Sequence, residues 1–177
     1  MTSNTAAQLN RVRSADITDK VDYILDYISI TDLVQRYGQA TDGHDFALLR
    51  TCYGEKIVVD HSPTIGMGKM TVSADKWCDL ARQFHGQLDG DEHILIPQGI
   101  VIEGDEASCH VLMHASHYYR AASGSPHQNI LGTYDFKFSR AADGWKIVES
   151  IQGMSWSEGN WQFHNDIQAS LGSPDLA

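Results

Sequence analysis

Two residues at the boundaries of predicted elements, an aspartate and a histidine, are the strongest candidates for chemistry in this chain. Asp42 ends a long helical pattern, and His93 begins a strand pattern that follows a second helix. A two-layer fold can bring both side chains into one pocket. A carboxylate beside an imidazole fixes its tautomer and raises its basicity, which makes a general base near neutral pH. With His117 on the next predicted strand as a second proton-handling group, the pattern indicates proton abstraction and elimination.

Length and charge limit the classes of partner. A chain of 177 residues with 42% apolar residues fits one domain with one core. The formal net charge is -10 and no basic run occurs, so neither nucleic acid nor an anionic membrane is an expected partner. The polar N-terminus lacks the apolar segment of a secretory signal, and no apolar run approaches the roughly 18 residues of a membrane span. These features predict a cytoplasmic protein that acts on a small-molecule substrate.

The cysteines and histidines do not have the spacing of a metal site. Cys52, Cys78 and Cys109 are odd in number and form no C-x-x-C pair, which also argues against a disulfide framework. His114 and His117 face opposite sides of a strand that contains both, so they cannot share an ion without distortion. We therefore expect no metal ion and no other cofactor.

The first half of the chain predicts helices around a single strand. Apolar residues recur at helical spacing from Val21 to Ala40, which indicates one or two helices with a broad apolar face. Asp45 and Ser73 are placed to cap two further helices, and the β-branched run at 56–61 predicts a strand between them. Residues 1–18 form a polar N-terminal arm, which we expect to be frayed or loosely docked.

Strand patterns fill the second half of the chain. Turn signals separate four of them, and the gaps fit antiparallel hairpins. The four runs are 92–102, 106–121, 127–139 and 145–153. Helices followed by a meander indicate an α+β fold, with the N-terminal helices packed on one face of a curved antiparallel sheet. We expect the main domain to span 19–154 and a C-terminal segment to span 155–177.

Alternation of side chains along the strands assigns two candidates to the interior. In 107–119 the odd positions are apolar until His117, so His117 shares the face of that apolar set. In the third run the apolar set is Ile130, Gly132, Tyr134, Phe136 and Phe138. Tyr134 is therefore predicted to point inward as well.

Several short stretches, in their order and spacing, resemble the SnoaL-like group of the nuclear-transport-factor-2-like (NTF2-like) superfamily, and scytalone dehydratase in particular. The matching stretches are Tyr37-x4-Asp42, Leu49-Arg50-x-Cys52, Val59-Asp60-His61, Glu92-His93, Asp105-Glu106 with His117 following, Asp143-Gly144-Trp145-Lys146 and Ser155-Trp156. They cover roughly residues 30–165. The resemblance implies a cone-shaped α+β barrel of the NTF2-like, cystatin-like type.

The resemblance also implies roles for individual residues. Asp42 falls on the family carboxylate that orients a catalytic histidine, His93 falls on that histidine, and His117 falls on a second pocket histidine. Asp42 and His93 also match the dyad of hexachlorocyclohexane dehydrochlorinase, which removes HCl by proton abstraction. These three residues are the expected catalytic set.

The expected substrate-binding positions differ from those of scytalone dehydratase. Thr41 and His61 occupy the positions of two tyrosines that hold a water against the substrate there. Tyr134 or Thr133 falls at the position of a pocket asparagine. The dyad is kept and the residues that recognise the substrate are not, so scytalone itself is not the expected substrate.

Three aromatic residues mark the C-terminal segment. Trp156, Trp161 and Phe163 are too many for a free tail, because exposed aromatic patches are uncommon on soluble proteins. We expect this segment to pack over the mouth of the cone as a lid that contacts substrate, and the chain to end in a disordered stretch.

The expected function is a cofactor-independent lyase of the dehydratase type, or an isomerase, acting on a small cyclic or polyketide-type metabolite. Two alternatives stay open: a SnoaL-like hydrolase or cyclase in which His93 activates water, and a non-catalytic NTF2-like module for ligand binding or dimerisation. Relatives associate through the outer face of the sheet, so the resemblance also implies a homo-oligomer, either a dimer or a trimer.

Overall fold

The computed structural model describes residues 2–171, which form six helices and six strands. The helices are α1 (Thr2–Ser14), α2 (Ile17–Asp42), α3 (Phe46–Thr51), α4 (Ser62–Ile65), α5 (Ala74–His85) and α6 (Trp161–Leu171). The strands are β1 (Tyr53–His61), β2 (Met67–Ser73), β3 (Gly90–Glu103), β4 (Glu106–Tyr118), β5 (His127–Ala141) and β6 (Gly144–Gly159). The disordered end expected after the lid falls on 172–177, outside the described residues.

All six strands form one sheet in the order β2-β1-β6-β5-β4-β3. The four strands of the predicted meander pair with antiparallel neighbours, as expected, but β1 pairs parallel with β6. The sheet is therefore mixed, and it stays open between its edge strands β2 and β3. The predicted α+β class is confirmed. The parallel pair could not be predicted from hairpin signals, because β1 and β6 lie far apart in the chain.

Capping residues fix where the helices begin. The Asp45 side chain accepts a hydrogen bond from the backbone N–H of Leu48, and the Ser73 hydroxyl accepts one from Lys76, as the sequence predicted. In α2, the Ser29 and Thr31 hydroxyls donate to backbone carbonyls one turn earlier, so the helix continues through this point without a break.

Helix α2 lies against the start of β3, which places the end of the helix at the candidate site. At Gly38 an added Cβ would lie 3.3 Å from the Leu95 side chain and 3.6 Å from the carbonyl oxygen of His93. The missing side chain therefore allows the close approach of helix and strand. Gln35 supports the contact by donating a hydrogen bond to the carbonyl oxygen of Leu95.

Both terminal segments contain a helix that contacts the rest of the domain. The polar arm contains helix α1, and its buried Gln8 donates a hydrogen bond to the carbonyl oxygen of Ile102. At the other end β6 continues to Gly159, and α6 then folds back. A small second core of Phe84, Leu88, Phe163 and Ile167 holds α6 against the end of α5. Among the described helices, none is long and apolar enough to cross a membrane.

A narrow contact between two glycines shapes the sheet where β6 turns toward α6. The register of β5 and β6 shifts between Leu131 and Gly132, which pair with Trp156 and Met154 and leave one extra residue in β6. Such a bulge bends a strand and increases its twist. An added Cβ on Gly132 would lie 2.0 Å from the carbonyl oxygen of Gly153, a backbone atom that cannot rotate away.

We expect Gly132→Ala to lower the free energy of unfolding by about 1–3 kcal/mol, the usual cost of overpacking. Chemical denaturation of the purified protein measures the change. Gly68→Ala is the matched control, because an added Cβ there meets nothing within 4 Å. Equal stability of the two variants would show that the sheet relaxes around Gly132.

Candidate active site

A cavity of about 640 Å³ lies between the helices and the concave face of the sheet. Aromatic side chains form much of its wall, namely Tyr37, Tyr53, Trp77 and Tyr134. All four rings are buried; the three tyrosines pack edge to face or stacked on one another and on Phe136, and Trp77 donates a hydrogen bond to the Tyr53 hydroxyl. Such a wall suits a largely apolar ring compound.

Asp42 and His93 are in direct contact at one end of the cavity. Asp42 Oδ1 lies 2.7 Å from His93 Nδ1, and Asp42 Oδ2 accepts the backbone N–H of His93 at 2.9 Å. The carboxylate thereby places the proton of neutral His93 on Nδ1, which leaves Nε2 as the basic nitrogen. The His93 side chain is only 4% exposed, and it lines the cavity. This is the arrangement of a general base held by a carboxylate.

Charge around His93 favours its protonated form. Burial alone would lower the pKa of His93, but the hydrogen bond that its Nδ1–H donates to Asp42 and the negative charges of Asp91 and Asp42 outweigh it and raise the pKa above its usual value. An imidazole that holds a proton well in this setting can take one from a carbon acid of modest strength.

His117 lies beside His93 on the neighbouring strand. The centroids of the two rings are 5.9 Å apart. His117 Nδ1 is 3.1 Å from the Oε1 atom of Gln128, which is its register partner on β5. Burial lowers the pKa of His117 to about 4, against the opposing charge of Asp91. The two histidines that the sequence predicted to work together therefore meet in one cavity with different proton affinities.

A second carboxylate, which the sequence analysis missed, lies between the histidines. The Asp91 side chain has no exposed surface and is hydrogen-bonded to His85 Nδ1. Its Oδ1 atom is 3.4 Å from His117 Nε2 and 3.6 Å from His93 Nδ1. Burial alone would raise the pKa of Asp91, but the three imidazoles lower it below the usual range, so the carboxylate stays ionised.

Simple spacing could have found both missed residues. Asp91 is two positions before His93, so the two side chains point to the same face of β3. His85 follows Trp77 and Ala81 at intervals of four in α5, and all three line the cavity. Side chains alternate along β3, the strand that contains His93, in the same way as along β4 and β5, so the same reasoning places Asp91 beside His93.

The predicted substrate-binding residues Thr41, His61 and Tyr134 all line the cavity. The Thr41 hydroxyl donates to the carbonyl oxygen of Tyr37 within α2. His61 Nε2 is 3.0 Å from Ser150 Oγ, and burial lowers the pKa of His61 to about 3, so the ring is neutral. The Tyr134 hydroxyl accepts a hydrogen bond from Gln152 at 3.2 Å.

The C-terminal helix reaches the cavity through residues other than those predicted. His164, Asn165 and Ala169 line it. Phe163 is instead fully buried in the second core, and Trp161 packs against the main core and donates to the Ser157 hydroxyl. Trp156 is 49% exposed and lies outside the cavity wall. The count of aromatic residues indicated a docked segment, but it could not show which side chains face the ligand.

A family model for the SnoaL-like domain matches residues 22–151. The chain belongs to the SnoaL-like domain family. No curated protein matches it at a significant level. Solved structures do match, and because those described next are less than 25% identical to this chain, they show the shared fold alone.

Three of these structures illustrate the shared fold of this SnoaL-like domain. Kfla4162 from Kribbella flavida is 24% identical, with a TM-score of 0.75 over 83% of this chain and 99% of that one. A provisionally named scytalone dehydratase from Novosphingobium aromaticivorans is 16% identical, with a TM-score of 0.65 over 78% and 89%. A hexachlorocyclohexane dehydrochlorinase from Novosphingobium barchaimii is 14% identical, with a TM-score of 0.64 over 78% and 92%. Another solved structure with this fold, 19% identical, is named NTF2-like with a cystatin-like fold, which agrees with the expected fold.

Two groups of side chains in this SnoaL-like domain have the donor atoms for a metal ion. One group is His85, Asp91 and His117, and the other is Asp42, Asp91 and His93; within each, the donor atoms lie within 4.8 Å of one another. The expectation of no metal weighed the histidines of β4 against one another, and it considered neither Asp91 nor His85. The opposite orientations of His114 and His117 therefore do not bear on these two groups of donor atoms.

Asp42→Asn should lower the pKa of His93, because it removes the charged partner and keeps the side-chain shape. Imidazole NMR titration of both proteins measures this change. The folded-state pKa of His93 is raised above the unfolded value of about 6.5, so the pair adds stability that is fully present below that value and is lost as the pH rises through the folded pKa. The stability difference between wild type and variant should therefore be larger at about pH 6 than at about pH 9.

Asp135→Asn is the matched control for this titration. Asp135 Oδ1 lies 2.7 Å from His110 Nδ1, the same distance as in the Asp42–His93 pair, but Asp135 is largely exposed to solvent. Exposed pairs contribute little to stability, so this variant should leave the pH profile nearly unchanged. A folded Asp42→Asn protein with an unaltered His93 titration would contradict the coupling of the dyad.

Proposed function

We propose that this SnoaL-like protein is a lyase of the dehydratase type that acts on a small cyclic or polyketide-type compound, with His93 as the base. The observation that carries the proposal is the contact between Asp42 and His93 at the end of an aromatic cavity. Because Asp42 holds Nδ1 of His93, Nε2 is the ring nitrogen that a bound compound can approach. An isomerase would use the same proton transfer without loss of a group.

In the proposed reaction His93 Nε2 removes a proton from a carbon next to a carbonyl or similar activating group. The electrons of that C–H bond form the new double bond, and the C–O bond to the departing hydroxyl breaks. Protonated His93 returns its proton to the leaving oxygen, so that water departs, while neutral His117 lies beside it in the cavity wall. Asp42 stabilises the imidazolium while it exists, and a positioned base of this kind gives about 10²–10⁴-fold acceleration.

The size and the aromatic lining of the cavity favour a ring compound over an extended or highly charged one. Its volume of about 640 Å³ is in the range of small-molecule sites, and tyrosine, tryptophan and phenylalanine rings line it. Two structural relatives are named for elimination reactions, a dehydratase and a dehydrochlorinase. An unfilled cavity that contains the dyad also favours an enzyme over a purely structural module, whose cone would be packed with side chains.

His93→Ala should lower kcat by about 10²–10⁴-fold and leave the fold intact. A panel of cyclic β-hydroxy ketones, followed by mass spectrometry for the loss of one water, identifies a substrate for the assay. Exchange of the acidic C–H for deuterium in D₂O reports the proton transfer even where no group leaves, and so includes isomerisation. His110→Ala is the control, because this histidine lies outside the cavity wall. Full turnover in folded His93→Ala would remove the mechanism.

Helix α6 is proposed to act as a lid, because it contributes His164 to the cavity wall. Ending the chain after Asn160 should raise KM and lower kcat, since water then enters the site. The truncation should affect the melting temperature less than it affects kcat and KM, because the main core keeps nearly all of its side chains. The matched control begins the chain at Asp16, which removes α1, a terminal helix with no residue in the cavity wall. Unchanged kinetics in the folded C-terminal truncation would give α6 another role.

A further inference from the structure

Two buried acceptor atoms face each other beside the proposed base. Asp91 Oδ1 and His117 Nε2 are 3.4 Å apart, and neither has a hydrogen-bond partner among the residues that the structure describes. The Asp91 side chain is fully buried, and the His117 side chain is 5% exposed. A buried polar atom without a partner is costly, so with the present orientation of Gln128 this pair favours a third group between or beside the two atoms.

The neighbour of His117 decides what kind of group fits there. Gln128 Oε1 can only accept a hydrogen bond, so the His117 nitrogen beside it, Nδ1, carries the proton. In the neutral imidazole Nε2 then has a lone pair, and it points at a carboxylate oxygen that also has only lone pairs. Two converging lone pairs bind a cation.

His85 completes a donor set on the third side. Its Nδ1 atom approaches the other oxygen of Asp91, and the three donor atoms lie within 4.8 Å of one another. Two imidazoles and one carboxylate suit Zn²⁺, Fe²⁺ or Co²⁺ better than Mg²⁺ or Ca²⁺, which prefer oxygen ligands. To reach ligand distances of about 2.0–2.2 Å, the ion would replace the direct contact between His85 Nδ1 and Asp91, and the donor atoms would rearrange around it. We propose that His85, Asp91 and His117 bind one divalent transition-metal ion.

The second group of possible donors is a weaker candidate. In Asp42, Asp91 and His93 the Nδ1 atom of His93 already bonds to Asp42 Oδ1, and Asp42 Oδ2 accepts a backbone N–H. Among the described residues of that group, Asp91 Oδ1 is the buried atom without a hydrogen-bond partner, and His93 Nε2 faces the cavity as the proposed base. In the proposed site two of the three ligands have unused atoms, and Gln128 orients His117 from behind, as an outer partner commonly does for a metal-binding histidine.

The ion would lie at the wall of the cavity, because His85 and His117 both line it. Three protein ligands leave coordination positions open, as in catalytic zinc sites. The His117 ring is 5.9 Å from the ring of His93, so an oxygen of a bound compound that reaches the ion lies close to the base. This consequence rests on the proposed function, whereas the binding of the ion does not.

A direct titration tests the site. The full chain, freed of any affinity tag and dialysed against a chelator, is titrated with Co²⁺ by visible absorption and with Zn²⁺ by calorimetry. We expect one equivalent to bind with a dissociation constant on the order of 1 μM or lower. Asp91→Asn keeps the side-chain shape and should weaken binding by more than the roughly 10- to 100-fold typical of losing an outer partner. His85→Gln should do the same if Asp91→Asn does not fold.

Two further variants separate the ion from rival arrangements. Gln128→Glu can only accept from His117 Nδ1, so it should preserve or tighten binding. His93→Ala should keep the ion while it removes turnover, so that this inference and the proposed function can fail separately. Asp135→Asn, at the exposed His110–Asp135 pair, should leave the affinity unchanged.

The rival arrangement turns the Gln128 amide over, so that it donates to His117 Nδ1, and His117 Nε2–H then donates to Asp91. That arrangement needs no ion. If no stoichiometric binding is measured, the metal site is wrong and the arrangement with the turned Gln128 amide is favoured. Binding that is unchanged by both Asp91→Asn and His85→Gln, or that is lost in His93→Ala, would overturn it as well.

Discussion

A single carboxylate joins the helical layer to the sheet at the place where the cavity begins. Asp42 is the last residue of α2, where the partial negative charge of a helix C-terminus disfavours an acidic side chain. Both of its oxygens are used by His93, one by the ring and one by the backbone N–H. These hydrogen bonds raise the proton affinity of His93, and they also stabilise the Asp42 carboxylate at its unfavourable position. The close approach at Gly38 one turn earlier makes that interaction possible.

Two histidines beside the second carboxylate differ in their proton affinity because only His93 is also hydrogen-bonded to Asp42. Asp91 is fully buried and needs positive charge close to it, but burial opposes charge on every imidazole in the same space. The result is unequal: the pKa of His93 is raised, and that of His117 is lowered to about 4. Environments that push the pKa values of adjacent groups apart assign one as the stronger base. A cluster of equivalent histidines could not divide these roles.

Local signals in the sequence were sufficient for much of the fold and for part of the site. The caps at Asp45 and Ser73 and the alternation around His117 and Tyr134 depend only on nearby residues, and the structure agrees with them. The parallel pairing of β1 with β6 depends on contacts between distant segments, which periodicity does not encode. The exposure of Trp156 follows from the bulge opposite Gly132, where regular alternation along β6 ends.

The two ends of the cavity contribute differently to recognition. Around His61 and Tyr134 the polar groups already pair with one another, His61 with Ser150 and Tyr134 with Gln152. A ligand that hydrogen-bonds there must replace a bond that exists, so the net gain is small and the aromatic wall selects mainly by shape and apolar area. At the base end Asp91 and His117 keep unused acceptor atoms. Under the proposed function, the orientation of a bound ring would therefore be set beside His93, Asp91 and His117.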